Sequence, residues 1–62
     1  MTAVAPAARL LSLPRAAELL DVPPRRLRDN WKAWGIPAYR VGRELRFRED
    51  ELWGWLRARK AA

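Results

Sequence analysis

Pro23–Gly35, PPRRLRDNWKAWG, decides how the rest of this chain is read. Pro24 suits a first helical position, where a missing N–H costs nothing, and Gly35 suits the residue just past a helix end. At about 100° per residue, Leu27, Trp31 and Trp34 share one narrow stripe with the i, i+4, i+7 spacing of a buried face. Arg25, Arg26, Arg28, Asp29 and Lys32 fall on the opposite side. The pattern predicts a short helix with an apolar seam for the protein and a guanidinium-rich face for a partner.

On the N-terminal side, Ser12 is a good N-cap, and Leu11 before it is placed to staple against Ala16. From Leu13 to Leu20 the chain is helix-forming, with Leu13, Ala16, Ala17 and Leu20 on one face. The paired alanines let a second helix come close. Asp21 tolerates the left-handed conformation that a tight interhelical turn requires. Two short helices joined by a short turn, the second carrying exposed cations, form a helix-turn-helix pattern. Residues 1–9 (MTAVAPAAR) show no periodicity and read as a disordered tail, with the domain spanning 10–60.

On the C-terminal side, Ile36 and Pro37 break from helix, and residues 38–48 (AYRVGRELRFR) alternate on both sides of Gly42-Arg43. This predicts a two-stranded hairpin whose apolar face is Tyr39, Val41, Leu45 and Phe47. Arg40, Arg43, Arg46 and Arg48 then occupy its other face and tip. A lone hairpin is marginal in water, so its apolar face must lie on the helices. Glu49, Asp50 and Glu51 open a last helix, and Arg57, Arg59 and Lys60 close it, both complementing the helix dipole. Leu52, Trp55 and Leu56 form its expected buried stripe, while Trp53 points elsewhere, to a core edge or a partner.

Composition narrows the function classes. Sixty-two residues make one domain near the lower limit of unassisted folding. There is no cysteine and no histidine, so disulfides and the usual zinc sites are excluded and a reducing compartment fits. No Gly-rich phosphate loop is present, and the acids sit at helix ends; the chain is expected to be no enzyme and to need no cofactor or metal. No apolar run approaches the roughly 20 residues of a membrane span, so a soluble cytoplasmic protein is expected. Lys and Arg number 13 against 7 acids, a net charge of +6 that favours a polyanion partner. A solvated basic surface is the plainer reading of the same charge. Trp31, Trp34 and Trp55 are read as core by their helical spacing, although exposed aromatics would suit base stacking.

Taken together, Ser12–Leu20, the Asp21-Val22 turn, the Arg-rich second helix, Gly35–Pro37, Val41–Arg43 and Asp50–Leu52 with Trp55-Leu56 resemble the small excisionase family. These are recombination directionality factors, winged helix-turn-helix proteins related to the DNA-binding domain of MerR regulators. The resemblance covers roughly Leu10 to Arg59. Three positions depart from it. Arg15 stands where the family usually has a capping Glu, Pro23 replaces a Ser or Thr cap, and Asp29 sits where a positive or neutral residue is commoner.

The resemblance implies a mainly α fold with a β-hairpin wing, in the order α-α-β-β-α. It also implies that the second helix enters the major groove of duplex DNA, presenting Arg25, Arg26, Asp29 and Lys32. Arg is the commonest bidentate reader of guanine, and Asp accepts from cytosine N4. Asp29 has a second reading, as an ion-pair partner of Arg25 or Arg26 across a helical turn. Arg43 matches the family's minor-groove wing arginine. Arg28, Arg40, Arg46 and Arg48 are the expected phosphate contacts. The implied role is to bind attachment-site repeats, bend the DNA and direct an integrase towards excision, with copies associating side by side and Trp53 as a possible protein contact. A small transcription regulator of the same fold is the nearest alternative, and a basic RNA- or protein-binding accessory module is the alternative of another class.

Overall fold

The structure is a computed structural model that describes residues 9–61. Its elements run β1 (Leu10–Ser12), α1 (Leu13–Leu20), α2 (Pro24–Asn30), β2 (Tyr39–Val41), β3 (Glu44–Arg48) and α3 (Glu49–Arg57). The expected α-α-β-β-α order is present, preceded by one strand that the sequence did not announce. Three residues are too few to show an alternation, and β1 exists only because β3 offers it an edge. The sheet is therefore three-stranded and antiparallel, in the order β1-β3-β2. Of the expected tail, residues 1–8 lie outside the described residues. Arg9 joins the fold, its carbonyl accepting the Glu49 N–H at 2.9 Å.

α1 begins and ends where the sequence places it. Ser12 is extended, and its Oγ accepts the Arg15 N–H at 3.3 Å, satisfying one orphan donor of the first turn. Asp21 closes the helix in the left-handed conformation, with φ 60° and ψ 45°. Its N–H reaches the Glu18 carbonyl and that of Val22 reaches Ala17, the paired bonds of a Schellman motif. Ala16 and Ala17 are fully buried, which lets α2 bring Leu27 into the core.

The second helix is shorter than the stretch that suggested it. Regular helix stops at Asn30, whose side-chain amide donates to the Arg26 carbonyl at 2.8 Å and so competes with the backbone ladder there. Residues 31–35 continue as tight turns. Gly35 ends them at φ 74°, its N–H on the Lys32 carbonyl and the Ile36 N–H on Trp31, a second Schellman closure. Leu27 is fully buried, whereas Trp31 and Trp34 are half-buried and pack on the edge of the core. That core is Leu11, Ala16, Ala17, Leu27, Ile36, Phe47 and Leu52. Leu11 belongs to it as a strand residue opposite Phe47, in the same cluster as Ala16.

The hairpin register overturns the expected apolar face. Gly42 and Arg43 form a two-residue turn with positive φ at Gly42 alone, the type II′ pattern. Such a turn pairs Val41 with Glu44, Arg40 with Leu45 and Tyr39 with Arg46. Directly paired residues share a face, so Arg40 lies with Leu45 and Phe47, towards the helices. Tyr39 and Val41 lie with Glu44, Arg46 and Arg48 on the outer face, and both are exposed. Each strand alternates as its sequence predicts, and the register sets the two strands in the opposite phase.

α3 starts from extended Arg48, and its three acids occupy the first turn. Asp50 Oδ1 accepts the Glu51 N–H at 2.8 Å. Leu52 is buried and Trp55 half-buried, but Leu56, expected in the stripe, is 37% exposed. It lines an open cleft beside Leu20, Val22 and Trp34 instead. Trp53 is 44% exposed, as its position on the helix required.

Candidate nucleic-acid interface

α2 exposes Arg25, Arg26, Arg28 and Asp29 to solvent while Leu27 is buried, and Lys32 is exposed in the turns that follow. Asp29 sits 3.9 Å from Arg28 rather than pairing with Arg25 or Arg26. Both side chains are more than half exposed, and a pair of this kind holds little energy. Among the described residues, no carboxylate lies within ion-pair distance of Arg25, Arg26 or Lys32. The Lys32 Nζ stands 5.7 Å from the Trp31 ring centroid, so the seam also steadies one of the cations.

The wing supplies a second group of cations next to the first. Because the register turns Arg40 inward, Arg40 and tip residue Arg43 meet Arg28 of α2 around an open cleft of about 440 Å³. Ser12, Leu13, Pro14, Glu44 and Leu45 line the rest of it with Arg46. The positive end of the α1 dipole therefore faces the same space as four guanidinium groups, those of Arg28, Arg40, Arg43 and Arg46. Ser12, Leu13 and Pro14 were not anticipated here. Their only role legible in sequence was to start a helix, and it is the packing of β1 on β3 that brings that helix start beside the wing.

Arg46 and Arg48 are differently placed. Arg46 borders the cleft, but its Nη2 is bound to Glu44 at 2.9 Å and its Nη1 to the Leu45 carbonyl. Arg48 makes a two-armed pair with Asp50, at 3.1 and 2.7 Å, and this pair raises the affinity of its guanidinium for its proton. Beside it, the Tyr39 hydroxyl donates to Glu51 Oε2 at 2.9 Å. That hydrogen bond, helped by burial and by the negative charge of Glu51, pushes the phenol pKa up. On the outer face of the sheet, Arg46, Arg48 and Tyr39 are thus each bound to a carboxylate, beside exposed Leu10 and Val41. On the cleft side, Arg40 and Arg43 have no carboxylate within ion-pair distance among the described residues, and Arg28 has only the exposed Asp29 at 3.9 Å.

A family described as "Helix-turn-helix domain" matches residues 10–60, which takes in every element from β1 to α3. The chain belongs to that family. Searches of curated proteins and of solved structures returned no match. In this helix-turn-helix domain, α1 and α2 are the paired helices, Asp21 makes the turn, and β2 and β3 are the wing. The three helices and three-stranded antiparallel sheet are those of a small winged helix-turn-helix domain, a DNA-binding fold. No helix among the described residues of the domain is long and apolar enough to cross a membrane.

Proposed function

We propose that this domain binds duplex DNA sequence-specifically, with α2 in the major groove and the Gly42-Arg43 tip in the adjacent minor groove. The observation that carries the reading is the gathering of Arg28 from α2 with Arg40 and Arg43 from the wing around one cleft. In that reading, Arg25, Arg26, Asp29 and Lys32 meet base edges, Arg28 and Arg40 hold phosphates, and Arg43 enters the minor groove. Arg46 and Arg48, already neutralised by Glu44 and Asp50, brace the sheet in this reading. The chain acts by binding, with no catalytic step, and works in the cytoplasm.

The biological role we infer is that of an excisionase, a recombination directionality factor. It binds repeated sites in an attachment region, associates with further copies along them, bends the DNA and biases an integrase towards excision. The family resemblance carried by Ser12–Leu20, Gly35–Pro37, Val41–Arg43 and the α3 residues supports this role.

Mobility shifts on duplex DNA, single strands and RNA test the binding mode. Arg25→Ala and Arg26→Ala should each weaken binding to the preferred duplex by roughly 1–3 kcal/mol and relax base preference. If both bind as tightly as the parent at matched salt, the groove assignment is wrong; a preference for RNA would favour an accessory module. An excision assay with a neighbouring integrase tests the role. Promoter repression without any effect on excision would identify a transcription regulator instead.

A further inference from the structure

α3 carries two apolar features that DNA binding leaves unused. The first is an open cleft of about 320 Å³ lined by Leu20, Val22, Trp34, Trp55, Leu56 and Arg59. It lies at the C-terminal end of α1, whereas the cation-lined cleft lies at the N-terminal end. Its walls are held in place by the chain itself. The Trp34 and Trp55 rings stand 6.4 Å apart at 25°, and the Trp55 Nε1–H donates to the Trp34 carbonyl at 2.8 Å. Arg59 lies over the Trp55 ring and donates to the same carbonyl. An apolar cavity of roughly 150 Å³ accepts benzene, so this cleft has room for an indole.

The second feature is Trp53 itself. It is exposed, lies roughly 160° around α3 from Trp55, and points its Nε1–H at Glu49 Oε2, 3.4 Å away. The projecting indole therefore stands beside a carboxylate, whose other oxygen lies 4.0 Å from the exposed Arg9, while the cleft has a guanidinium at its rim. Shape and charge match between two different sides of the same molecule.

We propose that Trp53 of one copy seats in the Trp34–Trp55 cleft of the next copy along the DNA, with Glu49 facing Arg59. The proposal rests on the duplex-binding reading above. Because the indole and the cleft face different directions, the contact is heterologous and repeats head to tail without closing. One indole buries only about 150–250 Å², far below the roughly 800 Å² per partner of a stable interface. Free copies therefore stay monomeric, and the contact forms once DNA holds neighbours at high effective concentration. The domain extends 39 × 34 × 18 Å, so either of its two longer axes matches the roughly 34–36 Å between successive duplex turns.

The test uses duplexes carrying one copy, or two tandem copies one turn apart, of the sequence that the parent protein enriches from a randomised duplex pool. Parent, Trp53→Ala and Leu56→Gln are compared by mobility shift at fixed salt; both changes are at exposed positions and leave net charge unaltered. The parent should bind the second copy more tightly than the first, within the roughly 5–150-fold range of ordinary coupling. Both variants should keep the parent's single-site affinity within a factor of about two and its melting profile, while the enhancement falls close to one. Sedimentation should show monomers in free solution. Enhancement that survives Trp53→Ala, a parent that shows none, or a stable free dimer overturns the contact and leaves the single-site reading standing. A parent that binds neither duplex removes the duplex-binding reading, and the contact falls with it.

Discussion

Arg40→Ala and Arg48→Ala make a matched pair, since each deletes one guanidinium from a strand of the same sheet. Their surroundings differ. Arg40 faces the cleft with Arg28 and Arg43, and Arg48 is closed on Asp50 by two hydrogen bonds. If α2 and the cleft face DNA, about six cations meet it: Arg25, Arg26, Arg28, Lys32, Arg40 and Arg43. Each phosphate neutralised contributes about 0.9 to the slope of log affinity against log salt. The two phosphate contacts among them, Arg28 and Arg40, then give a slope near −1.8, or about a twelvefold loss of affinity between 50 and 200 mM salt. Removing Arg40 should flatten the slope by about 0.9, narrowing that loss about 3.5-fold. Arg48→Ala should leave the slope within error of the parent and lower the melting temperature instead, because Asp50 loses its partner at the start of α3. Fluorescence anisotropy on one fixed duplex at four salt concentrations measures both slopes. A flattened slope for Arg48→Ala beside an unchanged one for Arg40→Ala would mean that the outer sheet face meets DNA, and the cleft would lose its role.

Two further outcomes test the fold beneath this surface. Phe47 is fully buried at the centre of the sheet, so Phe47→Ala should lose about 3–5 kcal/mol, close to the entire stability of so small a core. Circular dichroism at 25 °C should show a largely unfolded chain, and a melt like the parent's would refute the register that places Phe47 inside. Tyr39 is the one tyrosine, so tyrosinate absorbance at 295 nm reports it alone. Its midpoint should lie above the ordinary value of about 10, and Glu51→Gln should bring it down. The sign follows from the raised folded pKa: the stability this bond contributes is whole below the unfolded value and is lost as pH rises through the folded one. A Tyr39 midpoint that does not move in Glu51→Gln would show that the hydrogen bond is not formed in solution.

Local chemistry by itself determined a good deal of this protein. Ser12 caps α1 and Asp21 ends it because a hydroxyl that accepts and a residue that tolerates the left-handed region act over three or four residues, whatever the rest of the chain does. Gly35, Gly42 and the acids of 49–51 mark their boundaries for the same reason. The exposed side of α2 was likewise legible, since helical period alone separates Arg25, Arg26 and Lys32 from Leu27.

Only the tertiary structure decided the rest. β1 is invisible in three residues and exists by pairing with β3. Arg40, Arg46 and Arg48 look alike within their strands, yet pairing across a two-residue turn sends Arg40 to the cleft and the other two to carboxylates. Likewise, the Trp34–Trp55 cleft joins residues 21 positions apart. Period and propensity are properties of neighbours along the chain. Which cations share one surface depends on the phase between elements, and hydrogen-bond pairing and core packing set that phase only when the whole chain has closed.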